Sequence, residues 1–464
     1  MIRNIFIDRE NELRILEREW NRKGFSMIIL YGRRRVGKTT LLKKFCSNKP
    51  YIYYMAIEAS YDTLCKEFSE TVSKVLKVPI SGDIIDVIEA IPRLYKDRIA
   101  IVLDEFQYIV ESDESFPSRL QRAIDSTLKN SRIKLILCGS AVSFFKRRLL
   151  GYKSPLFGRR ESSLRVHPMK FIDIKEFFPR YSPTELSMIY GVVGGTPAYL
   201  AKLDPNKSPF ENIRDVISPG SYLYDEAVNL LRQEVREPRT YFTILSSIAE
   251  GRTSMSEIAS IANVDPRTIV KYVELLEELE VIRRVKPIGF RKPVRLEIRD
   301  NYFRFWFTYV YKLRSMLEYG YIDDALAYIR KTFNDYMSRV FENIVEELTL
   351  PMYAAGVIKT KPIEVGKWWH KGLEIDLIVR DPGTSSTFIE VKWKALSLKE
   401  ALKMVEALKE KSMKSGLTSP INYYMLIARE IKDGKSVNYA NTTVVDFKDL
   451  MEKLLMLKHV ASKS

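Results

Sequence analysis

The sequence is poor in cysteine and has no long hydrophobic run. Its three cysteines, Cys46, Cys65 and Cys138, show neither a pairing pattern nor the spacing of metal ligands, so we predict no disulfide framework and no zinc site. No apolar run approaches the roughly 18 residues that a membrane span needs, and the first residues do not have the pattern of a signal peptide. Internal repeats and low-complexity tracts are also missing. These absences predict a cytoplasmic protein without a membrane contact.

Positive charge is the strongest compositional feature. Lysine and arginine together number 75 against 59 acidic residues, which gives a formal charge of +16 and a pI near 9.4. A length of 464 residues is enough for about two to four domains, each with its own core. The charge favours a polyanionic partner, and DNA is our prediction, although lysine-rich surfaces also serve solubility and heat tolerance.

The segment Gly32–Thr39 is a complete phosphate-binding loop, G-x-x-x-x-G-K-T. An apolar run at Ser26–Tyr31 precedes it and an amphipathic stretch follows, which is the strand, loop and helix context of a nucleotide hydrolase. The two glycines let backbone amides turn toward the phosphates, the lysine adds charge at the β/γ oxygens, and the threonine hydroxyl is offered to Mg²⁺. The residues assigned to nucleotide binding are Gly32, Gly37, Lys38, Thr39 and Thr40.

Two further strand-like runs end in polar side chains. The run at 99–105 ends in Asp104 and Glu105, a Walker B pattern in which the first acid holds Mg²⁺ and the second polarises the attacking water. The run at 134–140 ends in Ser140, which can sense the γ-phosphate because ligands of open α/β sheets lie at the carboxyl ends of strands. Plain solvent-exposed strand ends are the alternative interpretation. We predict that Lys38, Asp104, Glu105 and Ser140 form the catalytic set for ATP.

Strand-like runs alternate with helical periodicity as far as residue 203, which predicts a parallel α/β ATPase domain with a helical lid over 1–203. Prolines and a glycine interrupt 204–236, and we interpret this stretch as a connector.

The block at 237–310 changes character and predicts a winged helix. Two helical stretches flank a turn at 263–266, with Ile258, Ile261 and Ala262 on one face of the first, and two strand-like runs around a Pro/Gly turn follow. The hairpin carries six cations and one acid, Glu297. Such modules also serve as protein contacts or as lids on a nucleotide site. The residues assigned to DNA binding are Arg267, Thr268, Lys271, Arg283, Arg284, Arg291 and Lys292.

A second set of candidate catalytic residues lies near the C-terminus. The stretches 372–379 and 387–392 predict a β-hairpin whose period of two places Glu390 and Lys392 on one face. If Asp376 points the same way, two carboxylates converge on a divalent metal beside a lysine, which suits phosphodiester hydrolysis. Glu342 or Glu346, on the helical stretch 340–348, is a candidate further ligand. The alternative interpretation is an ordinary exposed hairpin face with alternating charges and no metal site.

Several segments together carry a family resemblance. The chain resembles archaeal P-loop ATPases of the AAA+/STAND-like group that have a winged helix and a C-terminal domain similar to PD-(D/E)XK nucleases. One difference is Ile375, which precedes Asp376 where that motif has proline. The segments that carry the resemblance are 6–10, both Walker motifs, 138–140, 155–159, 194–200, 300–306, 368–369, 374–376 and 390–392.

The resemblance implies roles that spacing alone does not give. Arg159 corresponds to a γ-phosphate sensor or arginine finger, although a plain surface cation is the alternative, and Arg9 and Pro197 would border the adenine. The resemblance also implies a restriction-endonuclease-like α/β domain over 311–464, with Mg²⁺ or Mn²⁺ at its site. It leaves open whether Arg159 acts within its own chain or on a neighbour's nucleotide in a homo-oligomer.

The expected function is an ATP-binding and ATP-hydrolysing protein that acts on DNA, with a metal-dependent nuclease domain. Two alternatives stay open at this point. One is an ATP-switched regulator that binds DNA without cutting it, and the other is a STAND-type signalling ATPase that binds protein.

Overall fold

A computed structural model describes residues 7–235, 237–432 and 436–461, so the ends of predicted segments at residues 1, 236 and 464 lie outside the described residues. The chain divides into two compact units, one extending to Met169 together with Thr196–Ala198, and the other containing the rest. The first unit therefore ends earlier than the domain boundary predicted at residue 203. In the described ranges, no helix has the length and apolarity to cross a bilayer.

The first unit is built on a parallel five-stranded sheet in the order β2-β3-β4-β1-β5. Its central strands β1, β3 and β4 are buried throughout, as expected for a parallel sheet covered on both faces. Their carboxyl ends lie at one edge, where Tyr31 pairs with Gly139 and Leu103 with Leu137. The predicted parallel α/β sheet is confirmed. The strands are β1 Ser26–Tyr31, β2 Tyr51–Met55, β3 Ile99–Asp104, β4 Ile133–Gly139 and β5 Ser162–Arg165.

Helices cover both faces of this sheet. Alternate residues of β1 point to opposite faces, so Ile28 packs with Leu16 and Leu41 of two helices, whereas Ile29 faces the other core. The helices are α1 Glu10–Asn21, α2 Lys38–Cys46, α3 Tyr61–Leu76, α4 Ile84–Leu94, α5 Gln107–Ser112, α6 Phe116–Ser126 and α7 Val142–Phe144, with 3-10 turns at Leu128–Asn130 and a π-helix at Phe145–Leu149.

The second unit begins with helices, including two in the predicted connector. Pro209 does not break the chain; it occupies the first turn of a helix whose N-terminus Ser208 and Glu211 close with a capping box. The expected connector is therefore helical, and its Pro219–Gly220 pair lies between the helices. These elements are the 3-10 helix Phe171–Glu176 and helices α8 Pro183–Val193, α9 Pro197–Leu200 (its first two residues are counted with the first unit), α10 Pro209–Ile217 and α11 Tyr222–Glu234.

The predicted helix, turn, helix and hairpin follow in the predicted order. Ile258 is buried, whereas Ile261, the last residue of the first helix, is 49 % exposed, so the face predicted to carry both residues is buried only in part. The elements are α12 Pro238–Ala249, α13 Met255–Ile261, α14 Ile269–Glu278, antiparallel strands β6 Ile282–Val285 and β7 Arg295–Ile298, α15 Asn301–Phe305, a π-helix at Trp306–Tyr311 and α16 Arg314–Glu318.

The C-terminal part is a mixed six-stranded sheet in the order β12-β13-β11-β10-β9-β8. The predicted hairpin is confirmed, because β9 and β10 pair antiparallel, and β10 then pairs parallel with β11 through a helical crossover. The elements are α17 Ile322–Glu347, α18 Thr349–Ala354, β8 Glu364–His370, β9 Leu373–Asp381, β10 Ser385–Leu396, α19 Leu398–Ser415, β11 Ile421–Ile431, β12 Val437–Tyr439, β13 Thr442–Asp446 and α20 Phe447–Ala461.

The turn between β6 and β7 is packed against this C-terminal sheet. The amide of Ile288 donates to the carbonyl of Lys367 at 2.8 Å, and the Phe290 ring lies parallel to His370 with centroids 6.4 Å apart. Gly289 has a φ of +78°, and a Cβ there would lie 2.7 Å from Leu417. The hairpin is thus fixed at both its strands and its turn.

Candidate functional site

Two glycines shape the phosphate-binding loop at the end of β1. A Cβ on Gly32 would lie 2.3 Å from the carbonyl oxygen of Val166, so only glycine fits this close approach. Gly37 has a φ of +93° and stands immediately before α2, where left-handed backbone favours glycine. The loop therefore delivers its lysine and threonine to the N-terminus of α2, which is a favourable place for phosphate.

Lys38 lies over the loop that precedes it. Its Nζ donates to the carbonyls of Gly32 at 2.8 Å and Arg33 at 3.0 Å, and the side chain is buried. Burial lowers the pKa of Lys38, while the nearby carboxylates of Glu105 and Asp104 act in the opposite direction. A buried cation whose hydrogen bonds among the described residues go to two backbone carbonyls is suited to receive the negative charge of a β/γ-phosphate.

A hydroxyl and a carboxylate meet beside the loop. Thr39 Oγ1 donates to Asp104 Oδ2 at 3.2 Å, and Tyr53 of β2 donates to the same oxygen. Asp104 is 1 % exposed, and its second oxygen accepts the amide of Glu105 at 2.9 Å. Burial, followed by the charge of Asp104, raises the pKa of Tyr53, so this tyrosine stays a donor.

Glu105 is held by neighbours on β4 and α5. Its Oε2 accepts from Ser140 Oγ at 2.7 Å, from the amide of Ser140 at 3.2 Å and from Gln107 Nε2 at 2.6 Å. The backbone of Glu105 is left-handed, with a φ of +51°. The structure therefore brings Ser140 and Glu105 together in direct contact.

The residues assigned by resemblance lie in different surroundings. Arg9 donates to the carbonyls of Val36 at 2.9 Å and His167 at 2.7 Å, so it supports the phosphate-binding loop from behind. Pro197 lies 4.0 Å from the position a Cβ on Gly37 would take. Thr40 is exposed on the first turn of α2.

Arg159 makes its side-chain contacts away from the loop. Its guanidinium binds both carboxylate oxygens of Asp125, at 3.0 and 2.7 Å, and also reaches the carbonyl of Pro155 at 3.2 Å. The hydrogen bond to Asp125 raises the pKa of Arg159 and lowers that of Asp125. To meet a nucleotide, Arg159 would have to leave this pair.

The second predicted site brings its three residues into contact. Lys392 Nζ lies 2.7 Å from Glu390 Oε1 and 3.3 Å from Asp376 Oδ2, and the amide of Val391 donates to the same Asp376 oxygen at 2.8 Å. Burial, the charge of Glu390 and the charge of Glu342 raise the pKa of Asp376 to about 6. Four side chains predicted from spacing thus form one electrostatic cluster.

Two lysines that we did not predict complete this cluster. Lys367 Nζ lies 2.8 Å from Glu342 Oε2, and Lys411 Nζ lies 3.1 Å from Glu390 Oε2. In the parts of the chain that the structure describes, no group of three or more His, Cys, Asp or Glu residues has the geometry of a metal site. Three lysines therefore balance three carboxylates here.

The seven residues assigned to DNA fall into two classes. Arg267, Thr268 and Lys271 are exposed at the start of the second helix and on its outer face. Arg291 and Lys292 are also exposed, on the hairpin turn. Arg283 and Arg284 are not in this class, because both are engaged with acids of the same unit.

Arg283 and Arg284 are part of ion pairs. Arg283 Nη2 lies 2.8 Å from Glu346 and 3.0 Å from Glu297, whereas Arg284 Nε lies 3.4 Å from Glu277. Burial works against the charge of Arg283, but Glu346 and Glu297 outweigh it and raise its pKa. Sequence reasoning missed the Arg283–Glu346 pair because the two residues are 63 positions apart in the chain, and Tyr53, Lys367 and Lys411 are likewise distant in sequence from their partners.

Comparison with known proteins places these sites in context. Residues 6–203 match a family described as an ATPase domain predominantly from Archaea, and residues 306–404 match one described as archaeal and bacterial proteins of unknown function. The uncharacterized protein MJECL04 of Methanocaldococcus jannaschii is 36 % identical over 434 residues, which cover 92 % of this chain and 96 % of that protein.

Two further matches cover less of the chain. The uncharacterized ATP-binding protein MJ0423 of the same organism is 60 % identical over 45 residues, 10 % of this chain and 76 % of its own length. The solved structure of the Walker-type ATPase Paby2304 of Pyrococcus abyssi aligns over 66 % of this chain and 97 % of its own, with a TM-score of 0.50 and 22 % identity. At that identity the structural match supports the fold alone.

Proposed function

We propose that this chain, which belongs to the same family as the uncharacterized protein MJECL04 and matches an archaeal ATPase domain over residues 6–203, couples ATP hydrolysis to action on DNA. The observation that carries the ATPase part is the contact of Thr39, Asp104, Glu105 and Ser140 at one edge of the parallel sheet. The DNA part of the proposal rests on the positive charge of the chain, and separate experiments test the two parts.

Thr39 and Asp104 form a donor set that fits Mg²⁺. A threonine hydroxyl 3.2 Å from a buried carboxylate is the pair of oxygen ligands that this ion takes in nucleotide sites. The ion would supply charge neutralisation at the β/γ-phosphates. The protein's own part is to position Lys38 against those phosphates, with Tyr53 fixing the orientation of Asp104.

Glu105 is proposed to orient the attacking water and accept its proton. Its hydrogen bonds to Ser140 and Gln107 hold the carboxylate in one position while leaving Oε1 outside the hydrogen bonds described. Ser140 then acts by positioning the acid and by reaching the γ-phosphate. Arg159 is proposed to join the site only after it releases Asp125, within its own chain or on a neighbour in a homo-oligomer.

DNA is proposed to bind across α14 and the hairpin turn of a winged helix. Lys271 on α14, Arg267 just before it, and Arg291 and Lys292 on the hairpin turn are exposed cations, and such residues commonly contact phosphates. Thr268 adds a hydroxyl beside them. The formal charge of +16 supports the same partner.

The cluster around Lys392 is proposed to hydrolyse phosphodiesters with the help of a divalent metal. Asp376 and Glu390 are both within ion-pair distance of Lys392, and mutual repulsion among the acids contributes to the raised pKa of Asp376, which a bound cation would relieve. Asp376, Glu390 and Glu342 would hold Mg²⁺ or Mn²⁺, which supplies a reactive hydroxide when bound. Lys392 is then placed to stabilise negative charge on the phosphate.

A second function is favoured by the lysines. Lys367, Lys392 and Lys411 already neutralise the three acids, so the same cluster could hold a DNA phosphate without cutting it, as an ATP-switched binding module would. In that case, the DNA would stay uncleaved in the presence of Mg²⁺ or Mn²⁺ under all conditions.

The test is a nicking assay on supercoiled, single-stranded and branched DNA with Mg²⁺ or Mn²⁺. We expect cleavage by the parent chain, none by Asp376→Ala, and slowed cleavage by Lys392→Ala, with ATP hydrolysis kept in both. Lys394→Ala, at an exposed position two residues further along β10, is the matched control. Absence of cleavage together with absence of metal binding by calorimetry would leave the binding module as the function.

A further inference from the structure

A cavity of about 470 Å³ lies in the second unit beside Asp376. Residues of α12, β7, the π-helix at Trp306–Tyr311, α17 and β9 line it. Its volume is within the range of pockets that enclose small ligands of nucleotide size. Tyr309 and Tyr336, both buried, form aromatic parts of its wall.

Arg304 is a buried cation on this wall. Arg304 is 8 % exposed, and its guanidinium donates to the carbonyl of Ile298. Its Nε has no hydrogen-bond acceptor among the described residues. No carboxylate of the described residues lies within ion-pair distance of it. A charge in this position is costly without a counter-ion, and burial accordingly lowers the pKa of Arg304.

Arg339 brings a second guanidinium to the same cavity. It is exposed on α17, forms no ion pair with any residue that the structure describes, and its charge adds to the lowering of the pKa of Arg304. The wall also carries acids. Glu297 pairs with Arg283 and Glu342 with Lys367, and Asp335 lies one helical turn before Arg339 on α17. An anion between Arg304 and Arg339 would stabilise both charges, and most of all that of Arg304, which is buried.

We infer that this cavity binds the phosphate group of a nucleotide-sized ligand, with Arg304 and Arg339 as its anion contacts. The choice of a nucleic-acid strand end as the source rests on the proposed function, because Asp376 stands at the same cavity. The tyrosine wall then takes the base. Binding itself needs neither ATP nor metal.

The probe is the 5′-phosphorylated dinucleotide d(pTpT), measured by calorimetry on the full chain in EDTA, so that no cleavage occurs. The chain carries Lys38→Ala to weaken phosphate binding at the ATP site. We expect d(pTpT) to bind, Arg339→Gln to weaken it about tenfold, as for one lost charge-assisted contact, and Arg330→Gln on the same helix to leave it unchanged. Arg304→Lys should weaken it as well while keeping the thermal midpoint.

Two comparisons separate the sources of the phosphate. Unphosphorylated d(TpT) should bind at least tenfold more weakly, whereas inorganic phosphate should bind more weakly than d(pTpT) because it lacks a base. If inorganic phosphate binds as tightly, the nucleotide part of the inference is refuted. If d(pTpT) does not bind, or binds equally to Arg339→Gln, the site itself is refuted, whether or not the nicking assay detects cleavage.

Discussion

Neutralising the cations of the β6–β7 hairpin two at a time should show that Arg291 and Lys292 contact DNA, whereas Arg283 and Arg284 stabilise the fold. In Arg291→Gln/Lys292→Gln, two exposed cations are lost, and each lost phosphate contact lowers the slope of log affinity against log salt by about 0.9. The slope should therefore fall by about 1.8. Fluorescence anisotropy of a labelled duplex between about 50 and 300 mM KCl measures this slope.

Arg283→Gln/Arg284→Gln is the matched variant with the same change of charge. Removing Arg283 leaves Glu346 and Glu297 without their closest cation, and breaking a buried pair costs about 3–5 kcal/mol. Because the Arg283 side chain is 26 % exposed, we expect a smaller loss, about 2 kcal/mol, seen as a lower thermal midpoint. The salt slope should stay within about 0.3 of the parent, a margin well below one phosphate contact. A fall of the slope in this variant, with none in Arg291→Gln/Lys292→Gln, would refute the division.

Three further outcomes test the nucleotide site and the core. Lys38→Ala should abolish ATP hydrolysis and weaken nucleotide binding, whereas Glu105→Gln should keep binding and lose turnover, as steady-state assays and a fluorescent nucleotide would report. Ser140→Ala should lower kcat about tenfold with little change in KM, because it loosens Glu105. Burial raises the pKa of Glu347 from 4.5 to about 7, so the folded state holds this proton more tightly and stability falls as pH rises through that range. At about pH 8, roughly one unit above the pKa of Glu347, Glu347→Gln should therefore raise Tm. Near pH 4.5 the same substitution should leave Tm nearly unchanged, as measured by scanning calorimetry.

The nucleotide site was largely predictable because its pattern is local. The phosphate-binding loop, the strand ending in Asp104 and the strand ending in Ser140 each appear within a few consecutive residues, and a parallel sheet brings their carboxyl ends together. The contact of Ser140 with Glu105 follows from that topology. Tyr53 could not be found in this way, because nothing in its own strand marks it as the partner of Asp104.

Charge at the hairpin was harder to interpret from sequence. A count of six cations against one acid omitted Glu346 and Glu277, which lie on helices outside the hairpin. The prolines at 204–236 misled for a different reason, because proline interrupts a helix interior but is favoured in a first turn, where Pro209 lies. Proline can therefore end one helix or begin another, depending on its position.

The docking of the β6–β7 turn on β8 limits how this chain could be recombined. A junction at residue 310, the boundary that the sequence suggested, would place the amide of Ile288 and the carbonyl of Lys367, its hydrogen-bond acceptor, in different fragments. The same junction would separate Gly289 from the side chain of Leu417. A chimera with a relative keeps both contacts when one block that contains Ile288, Gly289, Lys367 and Leu417 is exchanged. Inheritance of this region as a single unit is therefore built into its packing.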